Sequence, residues 1–465
     1  MVGEKVNRPS GTRDFLPKEM NLRNIIIEKI IKIFKNFGYE QIQTPIFEKL
    51  KLFEIRSGEK FRDYVFTFKT PREEEGEDLY VLRPELTAPT CRMIITSKLS
   101  RLPKPLKLFY IGQCFRFDNP EPGRYREFWQ AGIELIGSYS HFADAEIINI
   151  ACKVLEEIGF KDYLISLNDI NILRQLFYDY NINLEMQNKI LNIIDSVGSA
   201  ISKDIKGIIQ IDQEKIHEEF RNDLSKLKVP DILQDKLMKL IYIRGKKNSL
   251  EEVKSLLLEC PKAINALNNS PLNLIIEILQ INNVSNYEID FSIARGLDYY
   301  TGIVFEIYID ALERQRQVCG GGRYDKLVED YGGPSMPATG FAFGLDRLVI
   351  AAEKLNIISN IDIEKPRSDV YILPLVQDKL IFNLANELRL NGFATEIDLL
   401  NRNINKGLAF ASDYKIPITI IIGKKELEQN LLTIKDMINQ IQYSVPYKDC
   451  VLKIKEIFQQ NKFKQ

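Results

Sequence analysis

This chain of 465 residues contains only two histidines and one tryptophan. His141 and His217 lie in polar surroundings, which nearly excludes acid–base catalysis by histidine and histidine-rich metal sites. The six cysteines show no CxxC spacing, so we expect free or buried thiols in a reducing compartment. The N-terminus lacks an apolar signal core, and no apolar run is long enough to span a bilayer. These absences predict a cytoplasmic protein without a membrane partner and without a metal site made of protein ligands.

An excess of either charge is also lacking. The chain has 63 basic and 64 acidic residues, which gives a formal net charge of -1. A nucleic-acid partner must therefore be bound by local basic patches, because the protein as a whole is not basic. Apolar residues make up 45% and charged residues 27%, as in soluble globular proteins, and the length suffices for two or three domains.

The most informative segment is FRFDNPEPGRYREFWQAGIELIG, residues 115–137. Proline and glycine between Asp118 and Gly123 predict a turn that joins two strands. Alternation along the second strand gives one apolar face, suited to packing on a helix, and one mixed face. The mixed face carries Phe128, Gln130, Gly132 and Glu134. A solvated back face would also explain the two polar residues. It does not explain the arginines of the turn, which together with an aromatic ring suit an adenine nucleotide.

This hairpin resembles motif 2 of the class II aminoacyl-tRNA synthetases, and GRYREFWQAGIELIG is similar to the form found in histidyl-tRNA synthetases. ARGLDYYTG at 294–302 and CGGGRYD…GFAFGLDRL at 319–348 agree with this narrower family. The similarity covers nearly the whole chain, from RPSGTRDFLP at 8–17. Motif 2 alone would indicate only the superfamily, whereas ARGLDYYTG is far more specific. Trp129, where bacterial enzymes often have histidine, indicates an archaeal-type branch.

The resemblance implies three domains. Residues 1–169 and 286–360 are expected to form a class II synthetase-like α+β catalytic domain with an antiparallel sheet. Residues 170–285 show leucine- and isoleucine-rich helical periodicity and predict an inserted helical domain. In residues 367–465 strands and helices alternate, which predicts a small α/β domain with a mostly parallel sheet. The resemblance identifies this last domain as anticodon-binding.

A helix from Asn21 to about Asn36, followed by a strand from Tyr39 to Pro45, is predicted near the N-terminus. This pair resembles motif 1, which forms the dimer interface in the superfamily, so a homodimer is implied. A core helix and strand within one subunit is the alternative. Further along, two prolines in LRPELTAP (82–89) predict an irregular loop from which Glu85 and Thr87 project.

The resemblance also implies a histidine pocket. Glu85, Thr87 and Gln130 would hold the α-ammonium group. Neutral imidazole has one donor and one acceptor nitrogen, so Glu134 would accept from one and Tyr300 would donate to the other. The full set of histidine-binding residues is Glu85, Leu86, Thr87, Arg116, Gln130, Glu134, Arg295, Tyr299, Tyr300 and Tyr324.

Activation of an amino acid is the attack of its carboxylate on the α-phosphate of ATP. Both reactants are anions, so the protein must position them and neutralise charge. The resemblance implies Arg116 and Arg295 as catalytic residues on opposite sides of that phosphate. Mg²⁺ is expected to bridge the phosphates, because the arginines would not carry all of the triphosphate charge. The predicted ATP-binding residues are Arg116, Asp118, Arg124, Phe128 and Arg347.

Arg347 falls in the first turn of a predicted helix, where the helix dipole disfavours a cation. Its compensating anion is either a nucleotide phosphate or a carboxylate, Asp346 or Asp325. Two departures from the family pattern concern the hairpin. Asp118 stands where class II enzymes usually have glutamate, and residues 119–122 differ from the bacterial form, so contacts to adenine and to the tRNA 5′ end are not carried over.

The resemblance implies a histidine–tRNA ligase that makes histidyl-adenylate and transfers histidine to tRNA(His). Its partners would be tRNA(His), L-histidine, ATP and a second copy of the chain. One alternative is a catalytically silent paralogue that regulates ATP phosphoribosyltransferase. Such paralogues usually lack the C-terminal domain and erode ARGLDYYTG. A synthetase for another amino acid, such as proline or threonine, would need a different pocket.

Overall fold

The structure, a computed structural model, describes residues 6–57, 59–69, 79–205, 212–294, 299–359 and 363–462. The chain divides into two compact units, Met1–Ile358 and Ser359–Gln465. Of the helices in the described residues, none combines the length and the apolar character needed to cross a bilayer.

The strands of the first unit are β1 (Glu40–Gln41), β2 (Phe47–Lys49), β3 (Thr67–Phe68), β4 (Tyr80–Leu82), β5 (Leu106–Phe115), β6 (Glu127–Ile136), β7 (Leu164–Asp169), β8 (Arg244–Gly245), β9 (Tyr287–Asp290), β10 (Ile303–Tyr308), β11 (Gln317–Arg323) and β12 (Ala338–Gly344). Nine of them form one sheet in the order β1-β5-β6-β12-β11-β10-β7-β9-β8. Its pairs are antiparallel except β1–β5 and β7–β9. The others form a small sheet, β2-β4-β3.

The helices of the first unit are α1 (Pro17–Asn36), α2 (Lys51–Ser57), α3 (Thr87–Thr96), α4 (His141–Ile158), α5 (Ile170–Asp179), α6 (Leu184–Ile205), α7 (Gln213–Lys226), α8 (Asp231–Leu240), α9 (Ser249–Leu256), α10 (Pro261–Asn268), α11 (Leu272–Ile281), α12 (Leu327–Asp330) and α13 (Leu345–Lys354). The helical periodicity predicted after residue 170 corresponds to α5–α11. α1 confirms the predicted N-terminal helix. It begins at Pro17 because proline suits the first helical turn, where its missing N–H is not needed.

Two local predictions were wrong. The strand expected over residues 39–45 is reduced to β1, because the guanidinium of Arg83 binds the carbonyl oxygens of Thr44 and Pro45. LRPELTAP is not irregular throughout, since α3 begins at Thr87. The carboxylate of Glu85 accepts the backbone N–H groups of Thr87 and Ala88 and so satisfies two amides of the first turn.

The hairpin β5–β6 is confirmed and forms the second and third strands of the large sheet, next to the edge strand β1. Its register pairs Tyr110 with Gly132. The apolar face of β6 is buried, with Ala131 and Ile133 fully covered. Trp129, on the same face, stacks against Arg23 of α1 at 4.6 Å from the guanidinium carbon to the ring centroid. The two faces of β6 therefore differ as the alternation predicts, and the mixed face is left to line a cavity.

The second unit contains β13 (Val370–Pro374), β14 (Thr395–Ile397), β15 (Ile418–Ile422), β16 (Leu431–Asp436) and β17 (Ile441–Pro446), with helices α14 (Lys379–Leu390), α15 (Ile404–Asp413), α16 (Lys424–Gln429) and α17 (Cys450–Lys462). The sheet order is β14-β13-β15-β16-β17. β13, β14 and β15 are parallel, as predicted, but β16 and β17 add antiparallel pairs, so the sheet is mixed.

Candidate active site

A cavity opens over the mixed face of β6, between the β5–β6 hairpin, β11 and the start of α13. It brings together all five residues predicted to bind ATP, of which Arg116 was also predicted to bind histidine, and one further histidine-binding residue: Arg116, Asp118, Arg124, Phe128, Arg347 and Gln130. The guanidinium carbon of Arg116 lies 5.1 Å from the centroid of the Phe128 ring. Three cations and one partly buried aromatic ring thus share one cavity. This arrangement suits a polyanion attached to an aromatic base.

Arg347 has an unusual electrostatic environment. Its Nε donates to the carbonyl oxygen of Gly123 at 2.9 Å, and its Nη1 donates to that of Gln317 at 2.6 Å. Burial, together with the positive charges of Arg116 and Arg124, lowers its pKa to about 10, while Glu306 and Asp118 oppose this shift. A cation held against other cations in a half-buried position is stabilised by an incoming anion. A phosphate ligand at this position stays a prediction.

The carboxylates considered as partners of Arg347 are engaged elsewhere. Asp346 pairs with Arg23 at 2.8 Å, and Asp325 pairs with Arg323 at 3.0 Å. These pairings leave both carboxylates engaged with other arginines. Asp118 pairs with Arg124 at 2.8 Å at the rim of the cavity. Its contact to adenine stays a prediction.

Glu134 lies deeper on the same face of β6 and is 1% exposed. Its Oε1 accepts the hydroxyl of Tyr110 at 2.9 Å, and its Oε2 accepts the hydroxyl of Tyr324. Burial raises the pKa of Glu134 to about 8, while the hydroxyls of Tyr324, Thr87 and Tyr110 favour the ionised form and nearby Glu85 opposes it. The result is a buried acceptor within a shell of hydroxyl donors.

Two glycines make room for this carboxylate. A Cβ at Gly340, which faces Glu134 across the β6–β12 pair, would lie 2.0 Å from Oε2. A Cβ at Gly132 would lie 2.7 Å from the Tyr110 ring and 2.5 Å from the carbonyl oxygen of Phe341. Neither position tolerates a side chain without displacing the Glu134 cluster or the sheet.

The segment that was predicted to bind the ammonium group reaches the same cluster. Leu86 is buried and Thr87 begins α3, with its hydroxyl close to Glu85 and Glu134. Burial raises the pKa of Glu85, whereas its two backbone N–H partners and the charge of Arg116 lower it. Gln130 accepts the thiol of Cys114 at 3.4 Å through its Oε1. Besides the two backbone N–H groups that it already binds, the carboxylate of Glu85 can accept further hydrogen-bond donors.

Tyr299 and Tyr300 lie next to the Glu134 cluster, which Tyr299 contacts through Tyr324. Both are buried, and their ring centroids are 4.8 Å apart. Tyr299 also lies 5.7 Å from the ring of Tyr324, in an edge-to-face arrangement. Arg295, predicted as catalytic and histidine-binding, lies outside the described residues.

Three contributors to the site were not predicted: Tyr110, Asp346 and Arg23. Tyr110 donates to Glu134, and Asp346 accepts the backbone N–H of Trp129 at 2.7 Å. Tyr110 could have been found from the alternation of Tyr110, Gly112 and Cys114 along β5, because a large ring opposite Gly132 indicates a filled gap. Asp346 and Arg23 carried no signal that single-sequence reasoning can use.

The raised pKa of Glu134 predicts a pH-dependent stability. In the unfolded chain this carboxyl ionises above its ordinary pKa of 4.5, but in the folded protein it keeps its proton up to about 8. The free energy of unfolding should therefore fall as pH rises from 4.5 to 8, by on the order of a few kcal/mol. Glu134→Gln removes this titration. Melting temperatures are measured without ligands between pH 5 and 8.5. Over this range the melting temperature of wild type should fall relative to that of Glu134→Gln.

The control for this measurement is Glu185→Gln, which changes a carboxylate on α6 that is 80% exposed. Its melting profile should run parallel to that of wild type over the same range. Parallel profiles for Glu134→Gln as well would contradict a raised pKa for Glu134.

The large sheet, the arginine-edged β5–β6 hairpin and the β12–α13 corner that presents Arg347 together define a class II aminoacyl-tRNA synthetase-like catalytic domain. The particular family follows from comparison with known proteins. The chain belongs to the histidyl-tRNA synthetase family: the model described as "Histidyl-tRNA synthetase" matches residues 11–348, and the model described as "Anticodon binding domain" matches residues 369–457.

Curated relatives and solved structures agree with this assignment. The chain is 37% identical over 446 residues to the histidine–tRNA ligase of Methanococcus vannielii, covering 95% of this chain and 98% of that protein. It is 36% identical over 439 residues to that of Methanocaldococcus jannaschii, covering 93% and 95%. The crystal structure of histidyl-tRNA synthetase from Nostoc sp. PCC 7120 shares the fold, with a TM-score of 0.72 at 24% identity, over 98% of this chain and all of that one. The archaeal relatives confirm the archaeal-type branch.

Proposed function

We propose that this protein is a histidine–tRNA ligase, which activates L-histidine with ATP and transfers the histidyl group to tRNA(His). One observation carries the proposal most directly. Glu134, a buried carboxylate that accepts two tyrosine hydroxyls, lies on the same face of β6 as a cavity lined by three arginines. The first feature suits a small ring with an N–H donor and the second suits a triphosphate. An aminoacyl-adenylate requires both side by side.

In this proposal ATP lies over the mixed face of β6. The ring of Phe128 stacks on adenine, and Arg124 and Arg347 hold the terminal phosphates. Arg116 holds the α-phosphate and the histidine carboxylate. The attacking carboxylate oxygen forms a bond to the α-phosphorus, and the bond to the pyrophosphate oxygen breaks. Positioned positive charge lowers the barrier by neutralising the phosphate oxygens.

Mg²⁺ would enter with ATP. The two carboxylates that line the cavity, Asp118 and Asp346, are already paired with Arg124 and Arg23. They therefore suit a metal held mainly by phosphate oxygens and water, which is the usual arrangement for Mg²⁺ on a nucleotide. Bound in this way, Mg²⁺ neutralises charge on the phosphates.

Histidine would lie between the Glu134 cluster and the paired tyrosines. Glu134 accepts the imidazole N–H, Tyr300 donates to the other ring nitrogen, and Tyr299 and Tyr324 enclose the ring. Glu85, Thr87 and Gln130 hold the ammonium group. A ligand without matching donors would leave buried polar groups unpaired, so the pocket selects by hydrogen bonding.

The regulatory alternative is less well supported. A structure titled as an ATP phosphoribosyltransferase regulatory subunit/histidyl-tRNA synthetase from Bacillus halodurans C shares the fold, with a TM-score of 0.69 at 24% identity. The present chain has both features that such paralogues usually lose: ARGLDYYTG and a C-terminal unit that matches the anticodon-binding model. The retained site residues favour the ligase.

Further parts of the proposal concern organisation. Residues 170–285 are an inserted helical module, and residues 367–465 bind the anticodon arm. The resemblance of α1 and the following chain to motif 1 supports a homodimer, which sedimentation of the purified protein would test.

The decisive experiment for the proposed function is ATP–pyrophosphate exchange with purified protein. Exchange should require histidine, and proline and threonine should not replace it. Transfer of labelled histidine to tRNA(His) should follow. Exchange with no dependence on any amino acid, or no exchange at all, would contradict the ligase and favour a regulatory role.

Glu134→Ala is expected to raise the KM for histidine by about 100-fold or more while the KM for ATP changes little, because a buried N–H of the ring loses its acceptor. The measurement is exchange at varied histidine with saturating ATP. Glu121→Ala, in the hairpin turn, is the matched carboxylate control and should leave the KM for histidine near wild type. Unchanged histidine affinity in Glu134→Ala would show that the pocket has been misplaced.

A chain that ends near Pro366 is expected to keep exchange activity and lose most tRNA charging. The boundary between the two units lies at Ile358–Ser359, and the proposed activation residues precede it. Charging by the full chain should fall with added salt because phosphate contacts release counterions, and the shortened chain should show a smaller slope. Undiminished charging by the shortened chain would mean that the second unit serves something other than tRNA.

A further inference from the structure

α1 places a charged side chain, Arg23, in the interior behind the ATP cavity. Arg23 is 2% exposed, and its Nη1 donates to Oδ1 of Asp346 at 2.8 Å. Its guanidinium carbon lies 4.5 Å from the ring centroid of Phe15 and 4.6 Å from that of Trp129. An arginine that is paired and stacked on two rings has a closely defined position.

Stability alone accounts poorly for this pair. A buried ion pair is often no more stabilising than apolar residues of the same volume, because both charges lose their hydration. Moreover, within the described residues Nη2 of Arg23 is buried without a hydrogen-bond partner, which adds a cost. The geometry of Asp346 indicates a different role.

Asp346 links two walls of the ATP cavity. β12 ends at Gly344, which pairs with Gln130. Because β12 ends there, no β12 backbone group lies opposite Trp129. Its backbone N–H is instead accepted by Oδ2 of Asp346 at 2.7 Å. Trp129 lies between two cavity-lining residues of β6, and Asp346 directly precedes Arg347 in the first turn of α13. One carboxylate therefore fixes the strand under the nucleotide and the helix that presents a phosphate ligand.

We propose that Arg23 is a positioning residue for the ATP site. It holds Asp346 in place, and Asp346 fixes the backbone of Trp129 and the start of α13. The inference rests on the proposed function only for the identity of the nucleotide. The rings of Phe15 and Trp129 both contact the Arg23 guanidinium and restrict it, so that α1 supports a site that it does not line.

Loss of Arg23 would leave the Asp346 carboxylate buried without its counter-charge. The carboxylate then takes up a proton or turns away, and in both cases its bond to the Trp129 amide changes. Displacement of a binding group by about 1 Å can cost up to about 100-fold in rate. We therefore expect a measurable effect on ATP binding and on turnover from a residue outside the cavity.

Trp129 is the only tryptophan of the chain, so its fluorescence reports directly on this site. ATP titrations of the full-length protein should show a dissociation constant about tenfold or more higher for Arg23→Met, which keeps the apolar contact with the rings but removes the charge and the donors. The emission of the free variant should also differ from wild type. Arg23→Lys, which keeps the charge, should recover part of the affinity.

A double variant tests the route through Asp346. Asp346→Asn keeps an oxygen that can accept the Trp129 amide and removes the charge that Arg23 compensates. Arg23→Met combined with Asp346→Asn should therefore bind ATP more tightly than Arg23→Met alone. An equal or weaker affinity of the double variant would overturn the proposed route.

The matched control is Arg402→Met in the second unit. Arg402 likewise pairs with a buried aspartate, Asp398, and lies 4.3 Å from the Phe410 ring centroid. The Arg402→Met substitution should lower the melting temperature and leave the ATP dissociation constant unchanged. If Arg23→Met also changes only the melting temperature, Arg23 is merely structural and the proposal is overturned.

Should Arg23→Met fail to fold, Arg23→Lys decides the question: wild-type ATP affinity would overturn the proposal and weakened affinity would support it. ATP binding is measured without histidine or tRNA. A wild-type protein that binds ATP but does not support histidine-dependent exchange would therefore contradict the proposed function and leave this test valid.

Discussion

Replacing Arg116 by alanine is expected to lower the turnover of histidine-dependent ATP–pyrophosphate exchange by about 10²–10³-fold. Arg116 directly follows β5, and its Nε donates to the carbonyl oxygen of Pro84 at 2.9 Å. Its guanidinium also faces the ring of Phe128. A cation that is already fixed in the cavity needs no reorganisation when negative charge develops on the α-phosphate, which is why its loss affects turnover strongly.

A second effect of Arg116 concerns histidine. The positive charge of Arg116 lowers the pKa of Glu85, which burial raises. Without Arg116, Glu85 is more readily protonated and holds an ammonium group less well. Arg116→Ala should therefore also raise the KM for histidine, and raising the pH should restore part of that loss. Arg116→Lys keeps the charge but not the planar fork, so intermediate turnover is expected.

Arg126→Ala is the matched control, because Arg126 belongs to the same hairpin. Its guanidinium lies 4.1 Å from the Phe117 ring centroid, and its Nε donates to the carbonyl oxygen of Asp118. It supports the turn from outside, so we expect less than a tenfold loss of turnover. Equal losses for Arg116→Ala and Arg126→Ala would mean that both act only by shaping the turn.

The β5–β6 hairpin shows how far the sequence determines the site. Its turn, its two faces and the place of Glu134 next to Gln130 could be predicted, because period-2 alternation and proline–glycine turns are local properties. The position of Arg347 in the first turn of α13 could be predicted for the same reason. Such features depend on residues a few positions apart, and the structure confirms the elements that carry them.

Long-range pairings could not be predicted in this way. Tyr110 reaches Glu134 only because β5 and β6 pair in one particular register, and Asp346 reaches Trp129 only because β12 ends at Gly344. Arg23 and Asp346 are 323 positions apart in the chain. In the second unit, β16 and β17 were not predicted. The sheet was therefore predicted to be mostly parallel, whereas the observed sheet is mixed. The start of α3 at Thr87 was not predicted, because the two prolines indicated an irregular loop. In the structure Glu85 accepts a backbone N–H of the first helical turn.

Arg295→Ala is expected to lower the turnover of exchange by about 10³-fold or more, the largest loss predicted here. The resemblance of ARGLDYYTG to the histidyl-tRNA synthetase motif places Arg295 opposite Arg116 at the α-phosphate. Tyr299, four residues further along the chain, is buried beside Tyr324 of the proposed histidine pocket. A group that meets charge developing in the transition state affects turnover more than ground-state binding.

Two measurements separate this role from a structural one. The ATP dissociation constant, followed by Trp129 fluorescence, should change less than tenfold in Arg295→Ala, and so should the dissociation constant of histidine. Arg295→Lys should recover part of the turnover, because charge is retained without the fork that binds two oxygens. Turnover within tenfold of wild type for Arg295→Ala would contradict the assignment. A parallel collapse of ATP binding, histidine binding and turnover would instead identify Arg295 as a residue that maintains the fold of the pocket.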